Sequence, residues 1–288
     1  MAELRFDERV AIVTGAGAGL GRAYARLLAA RGASVVVNDL DRKDDDGRTP
    51  AGAVVEEIES AGGSAVAHDS SIAAANAGKH LVETALDAFG RVDIVVNNAG
   101  VVRDRSFSKM SDEELSEVLG VHFHGTYGLT QAAWPHLRKQ AYGRIVLTTS
   151  VAGLFGNFGQ ANYSSAKAAM VGLGRTLAIE GARDGIKANL ISPGAATAMT
   201  ESMLPEHLHD KMSPARVAPM VGYLCHESCS VTGEVFYAVA GTYARNFVAV
   251  TQGYENPDAT IDDIAQHFDT IMDLSEWSIP GQAVELPE

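Results

Sequence analysis

The chain has 288 residues, 46% of them hydrophobic and 20% charged, which excludes a disordered or collagen-like polymer and suffices for one large domain. Lys and Arg number 23 against 36 Asp and Glu, and the net charge of −13 is unevenly spread. Nine acidic residues and no Lys or Arg fall between Asn246 and Glu288, leaving the first 245 residues near balance. Lacking a basic stripe, the chain is not expected to bind nucleic acid or an anionic membrane. No segment approaches the about 18–20 uninterrupted apolar residues of a membrane span. Met1–Asp7 has no secretory apolar stretch, and Cys225 and Cys229 are too few for a disulfide framework, so a cytoplasmic setting is expected.

Short apolar runs alternate with helical patterns. Strands are predicted at Arg9–Thr14, Ser34–Val37, Ser64–Ala67, Val92–Val96, Arg144–Thr148, Ile186–Ile191 and, last, Glu234–Val239. Helices are predicted at Leu20–Ala30, Ala51–Ser60, Asn76–Phe89, Asp112–Lys139 and Ala161–Glu180. Val and Ile runs without polar alternation suit strands covered on both faces, so the pattern predicts a Rossmann-like α/β fold with a doubly wound parallel sheet. The expected division is a dinucleotide-binding domain over 4–245, with a substrate lid at about 197–220, and an acidic extension over 246–288. In the extension, Ile261, Ile264, Phe268, Ile271 and Met272 share helical spacing behind a Thr260–Asp263 capping box, predicting one amphipathic helix.

The first strand runs into Thr14-Gly15-Ala16-Gly17-Ala18-Gly19-Leu20-Gly21. Glycines there let the backbone turn beside a pyrophosphate while the next helix aims its N–H groups at the phosphates. The spacing is T-G-x-x-x-G-x-G rather than G-x-G-x-x-G. Asp39 ends the second strand, where a carboxylate can accept from both adenosine ribose hydroxyls and repel a 2′-phosphate, favouring NAD over NADP. Arg42 and Lys43 lie close by and could tolerate the extra phosphate. Asp69 and Ser70 follow the third strand and are candidates for the adenine. Asn97-Asn98-Ala99-Gly100 follows the fourth, where it can brace the sheet or touch the cofactor.

Tyr163 and Lys167 stand four apart on a predicted helix, one turn from each other, thirteen residues after Ser150. A neighbouring ammonium and a positive nicotinamide would both favour phenolate at Tyr163, whose ordinary pKa is ~10. Ser150 would hold the substrate oxygen. Cys225-His226-x-x-Cys229 has metal-like spacing but too few ligands, so packing is expected and no metal. Met199, Met203 and Met212 could form an apolar lid or simply pack.

Together these motifs resemble the short-chain dehydrogenase/reductase family over about Leu4–Thr242. The resemblance implies that Ser150, Tyr163 and Lys167 are catalytic. It places Leu20, Pro193-Gly194 and the Ala195–Ala198 turn, with Ala196 and Thr197, against the cofactor. Its members commonly form homodimers or homotetramers through the two long helices. The segments Arg5–Asp7, Val37–Leu40, Asn97–Phe107, Gly156–Tyr163 and Cys225–Cys229 are similar, within the family, to (3R)-hydroxyacyl-CoA dehydrogenase domains. That implies an acyl-CoA substrate, with Arg103 and Arg105 as candidate contacts for coenzyme A phosphates. The alternatives are a 17β-hydroxysteroid dehydrogenase and a non-catalytic NAD sensor or scaffold. The family's usual catalytic asparagine is replaced by His122, which could relay protons from Lys167 to water or could pack the helix.

Overall fold

The structure, a computed structural model, describes residues 3–200 and 205–280. The chain divides into two units, Met1–Arg245 and Asn246–Glu288. The first unit alternates strand and helix: β1 (Val10–Thr14), α1 (Gly19–Ala30), β2 (Ser34–Asp39), α2 (Pro50–Ser60), β3 (Ser64–Asp69), α3 (Ala77–Phe89) and β4 (Ile94–Asn97). It continues with α4 (Asp112–Leu119), α5 (Thr126–Lys139), β5 (Gly143–Thr148), α6 (Val151–Phe155), α7 (Ala161–Gly181), β6 (Ile186–Gly194), α8 (Ala218–Cys225), β7 (Val235–Val239) and β8 (Thr242–Asn246).

The uninterrupted apolar strands have the predicted cause. In β1, Ala11 and Val13 join a core beneath α1, α2 and α8, whereas Val10 and Ile12 join a second core beneath α3, α5 and α7. Each Val or Ile side chain so withdrawn from water contributes about 1.5–3 kcal/mol. The sheet order is β3-β2-β1-β4-β5-β6-β7-β8, with parallel pairing through β7. The order reverses between β1 and β4, which opens a crevice at the carboxyl ends of those strands.

Four details differ from the sequence reading. β8 is a further strand, joined to β7 only by Ala240 and Gly241, both at positive φ, so it must turn back antiparallel. The helix expected across Asp112–Lys139 is interrupted by a π turn at Gly120–Gly125. The five-residue α6 was not expected. In the second unit the predicted single helix is two short ones, α9 (Ile261–Gln266) and α10 (Phe268–Met272), broken at His267. The break brings the His267 ring to stack on Tyr254 at 4.0 Å. The Thr260–Asp263 capping box forms as read, and β9 (Val250–Thr251) pairs antiparallel with β10 (Trp277–Ser278).

Candidate active site

The glycine loop at the mouth of the crevice is built by close approach. A Cβ on Gly21 would stand 2.1 Å from the Gly15 carbonyl oxygen, so only glycine lets α1 start against the turn. Gly15, at φ 61°, is in the left-handed region. α1 begins with no side-chain cap and no acidic residue in its first turn, which leaves its amides for an anion. The Gly17 amide donates to Asp39 Oδ2 at 2.8 Å, and the Leu40 amide donates to Oδ1 at 2.7 Å. The carboxylate therefore sits at the end of β2 beside the loop and keeps lone pairs for further donors. These residues fit a dinucleotide: Gly15, Gly17, Gly19, Leu20 and Gly21 at the pyrophosphate position, and Asp39 at the ribose.

Asn98, which the sequence did not distinguish from its neighbour, braces this turn. Its Nδ2 donates to the carbonyls of Thr14 (2.9 Å) and Gly15 (3.1 Å). Asn97 turns the other way: Nδ2 donates to Thr130 Oγ1 of α5 at 3.2 Å, and Oδ1 is buried with no partner among the described residues. Beside them Ala99 closes on Gly15, and Gly100 on the His122 ring. At the end of β3, where the sequence suggests adenine contacts, Asp69 is exposed and Ser70 half-buried. Buried Asn38 fixes that corner by donating to the carbonyls of His68 (3.0 Å) and Ser70 (2.9 Å). Its signal in the sequence was an amide directly after the three valines of β2.

Across the crevice, β6 ends at Pro193-Gly194. Ala196 donates to the Met212 carbonyl at 2.7 Å, and the Thr197 amide to Thr200 Oγ1 at 3.0 Å. The Thr197 methyl comes within 3.1 Å of where a Gly19 Cβ would lie, so this turn faces the glycine loop. Of the three methionines read as a lid, Met199 is exposed, Met212 half-buried, and Met203 lies outside the described residues.

Ser150 leaves β5 as the N-cap of α6, its Oγ accepting from the Ala152 amide at 3.2 Å. α6 crosses α7 where Gly153 meets Lys167: a Cβ on Gly153 would lie 2.6 Å from Lys167 Cβ. That crossing brings Ser150 to Tyr163, and the hydrogen bond from Ser150 lowers the phenol's pKa. Burial acts more strongly in the opposite sense, aided by Asp104, so Tyr163 lies above its ordinary value. Lys167 Nζ stands 5.7 Å from the Tyr163 ring centroid. Nζ donates to the Thr148 carbonyl at 2.7 Å. Burial lowers the Lys167 ammonium to about 7.

His122 occupies the π turn and packs edge-on against Tyr163, centroids 5.2 Å apart and planes at 88°. Its Nε2 lies 2.8 Å from the Val101 carbonyl oxygen and 3.1 Å from the Val101 amide. Nδ1 is buried with no partner among the described residues. Burial and, after it, the Lys167 charge push the imidazolium down to about 3, so the ring is neutral at pH 7 rather than titrating there.

Asn162, which the sequence did not single out, is fully buried beside the phenol. It accepts from the Tyr163 amide at 2.7 Å and donates to the Arg103 carbonyl at 2.9 Å. Arg103 and Arg105, expected at phosphates, are engaged at home: Arg103 Nε donates to Glu117 and Arg105 Nε to Glu114, each at 2.7 Å. Both ring nitrogens of His226 are engaged, by Ser228 Oγ and the Arg5 carbonyl. A cleft of about 750 Å³ between α1, α2 and α8 holds none of the residues named here as catalytic.

A parallel sheet with a glycine loop at its switch point and a Ser, Tyr and Lys beside it defines a nucleotide-dependent α/β oxidoreductase. The short chain dehydrogenase family model matches residues 9–207, and the chain belongs to that family, an NAD(P)-dependent oxidoreductase acting on a CH–OH group. It is 49% identical over 285 residues to peroxisomal multifunctional enzyme type 2 of Mus musculus, covering 96% of this chain and 38% of that one. A putative short-chain type dehydrogenase/reductase of Mycobacterium tuberculosis is 47% identical over 280 residues, covering 96% and 98%. The solved structure of full-length peroxisomal multifunctional enzyme type 2 from Drosophila melanogaster superposes with a TM-score of 0.82 at 41% identity, covering 96% of this chain and 48% of that one. The chain thus spans less than half of these two multifunctional enzymes. Among the described residues no helix is long and apolar enough to cross a membrane.

Proposed function

We propose that this chain is an NAD-dependent (3R)-hydroxyacyl-CoA dehydrogenase, converting the secondary alcohol at C3 to a ketone and back. The observation that carries the reading is the joint placement of Ser150, Tyr163 and Lys167 beside the crevice, fixed by the α6–α7 crossing. The acyl-CoA substrate is favoured by the segments that resemble such dehydrogenase domains and by the multifunctional relatives. NAD is favoured by the Asp39 carboxylate at the end of β2, although Arg42 and Lys43 are exposed nearby. Two buried thiols suit a reducing compartment such as the cytoplasm. Exposed Leu115, Tyr127 and Ile179 on the long helices suit a homodimer or homotetramer, which a sizing measurement would check.

In the oxidative direction Ser150 would hold the carbinol oxygen while Tyr163 accepts its proton. Bound NAD supplies the hydride acceptor and a positive ring that favours phenolate. Lys167, with a pKa near 7, is suited to pass the phenol's proton onward at neutral pH. The neutral His122 ring fixes the Val101 backbone and one face of the Tyr163 ring.

The test is the production of reduced nucleotide from (3R)- and (3S)-hydroxyacyl-CoA with NAD and NADP. Turnover of the R form with NAD is expected. Tyr163→Phe should lose about 10²–10⁴ in rate, the usual share of a positioned acid–base group, while still binding NADH. Turnover of a 17β-hydroxysteroid alone would replace the reading, and NAD binding with no turnover of either would favour a sensor.

A further inference from the structure

Asn162 is a wholly buried amide in the first turn of a helix, so each of its hydrogen bonds calls for an account. The first amides of α7 have no acceptor within the helix, and its N-cap, Gln160, supplies no side-chain oxygen to them. The Ser164 amide closes the first helical turn, donating to the Gln160 carbonyl at 2.7 Å. The Tyr163 amide, just before it, is met at 2.7 Å by Oδ1 of Asn162. A residue inside the helix thus does the capping that the N-cap does not, and does it at the tyrosine.

The same side chain is anchored from behind. Nδ2 donates to the carbonyls of Arg103 (2.9 Å) and Glu114 (3.4 Å), which uses both of its hydrogens. Reversing the amide would set hydrogens against the Tyr163 N–H and an oxygen against two carbonyls, so only this orientation satisfies the site. The anchor is itself braced. His122 holds Val101, and Arg103 and Arg105 pair with Glu117 and Glu114 of α4. Serine would offer one donor and an ionised aspartate none; among short side chains asparagine alone joins an acceptor to two donors.

We propose that Asn162 is a positioning residue for the reaction, fixing the first turn of α7 so that the Tyr163 phenol stays directed at Ser150. The inference rests on the function proposed above and adds to it a residue that acts through Tyr163. Helix ends open more readily than their middles, and a first turn whose amides lack partners opens first. Tyr163 stands in that turn. Lys167 lies one turn deeper and has its own tie, to the Thr148 carbonyl, so loss of Asn162 falls on the phenol and spares the lysine. Two outer ties join the same segments without touching the Tyr163 amide: the Arg105 amide to the Gly159 carbonyl at 2.8 Å, and Gln160 Nε2 to Asp104 Oδ2 at 2.9 Å.

The experiment compares the native protein with Asn162→Ala, Asn162→Asp and Gln160→Ala. It measures kcat and KM for a (3R)-hydroxyacyl-CoA, NADH affinity by fluorescence, and ionisation of the Tyr163 phenol by ultraviolet difference titration against Tyr163→Phe. Asn162→Ala should lose about 10²-fold in kcat, the scale of an ångström's misplacement, with KM and NADH affinity within about threefold of native. Its phenol should titrate at higher pH, because a phenol turned from Ser150 loses the hydrogen bond that lowers its pKa. Asn162→Asp keeps the volume and the acceptor for the Tyr163 amide but sets an oxygen against two carbonyls. It should lose about tenfold in kcat, which keeps the test decisive if the alanine variant does not fold. Gln160→Ala cuts an outer tie and should change none of these readings. Native kcat in a folded Asn162 variant would overturn the proposal. So would a loss of kcat no larger than the loss of NADH-binding protein with the phenol titration unmoved, or an equal loss in Gln160→Ala. If the native protein turns over no hydroxyacyl-CoA, the proposed reaction falls, and the phenol titration alone decides the role of Asn162: a shift upholds it and no shift overturns it.

Discussion

The Lys167 ammonium reaches from α7 to the backbone carbonyl of Thr148 at the end of β5, 2.7 Å away and sealed from water. A single carbonyl is poor compensation for the lost hydration of an ammonium, which is why burial lowers its pKa from 10.5 to about 7. The protein therefore gives up stability to hold a readily exchanged proton 5.7 Å from the centre of the Tyr163 ring.

That relationship predicts a stabilised but inactive variant. The unfolded chain keeps this proton up to about pH 10.5, whereas the folded chain releases it near 7, so between these values the unfolded state binds more protons and stability rises with pH. Below pH 7 the full cost of about 5 kcal/mol is present. Lys167→Met removes it at the expense of the bond to Thr148, worth about 1–2 kcal/mol. Denaturant titration at pH 6 should show a gain of about 2–4 kcal/mol that fades by pH 10, together with loss of turnover. A variant less stable than the native protein at pH 6 would contradict the assignment.

His122 predicts the acid limb. Its folded pKa of about 3 lies below the ordinary 6.5, so stability is lost progressively as pH falls from 6.5 to 3 because the unfolded chain takes the proton first. His122→Gln, unable to take a charge there, should flatten this part of the profile. It should also cost about 1–2 kcal/mol at pH 7 through lost packing against Tyr163 and Gly100. Thermal melts of both proteins from pH 4 to pH 8 would check the difference in slope.

Gly21 predicts a steric failure of the cofactor cradle. A methyl at this position would collide with the Gly15 carbonyl of the turn at 2.1 Å and with Asn98 Nδ2, which braces it, at 2.6 Å. Gly21→Ala should cost about 1–3 kcal/mol of stability and weaken NADH binding at least tenfold by fluorescence titration. Normal NADH affinity in a folded variant would show that the loop does not receive the pyrophosphate.

Asp39 predicts the choice of dinucleotide. Asp39→Ala removes the repulsion toward a 2′-phosphate and leaves exposed Arg42 and Lys43 close at hand, while the Gly17 amide loses its partner. The NAD-to-NADP ratio of kcat/KM should fall by about 10² or more, mostly through poorer use of NAD. An unchanged ratio would remove Asp39 from the ribose site.

The strand and helix pattern was legible because burial on both faces of the sheet left an unmistakable apolar signature in β1, β2, β4 and β5. The π turn was not, because one extra residue in a helix changes direction without changing composition. Without it, His122 would not be known to face Tyr163. In Asn97-Asn98 the sequence showed two amides, but only the alternation of a strand end decides that Asn98 holds the glycine turn and Asn97 meets α5. The partners of Arg103 and Arg105 lay fourteen and nine residues away on α4, a relationship that requires the fold. α6 escaped notice because five residues are too few to show a period.

Gly153 meets only the Cβ and backbone of α7 at Lys167 and Ala168, and its missing side chain is what lets α6, with Ser150 at its start, lie against the helix that carries Tyr163. An alanine there would wedge α6 off α7 and leave a protein with every catalytic letter intact and the machinery out of register. A relative with a bulky residue at this point would be expected to bind nucleotide but fail as a catalyst, and efforts to widen the substrate range should vary the neighbouring loops while leaving this hydrogen in place.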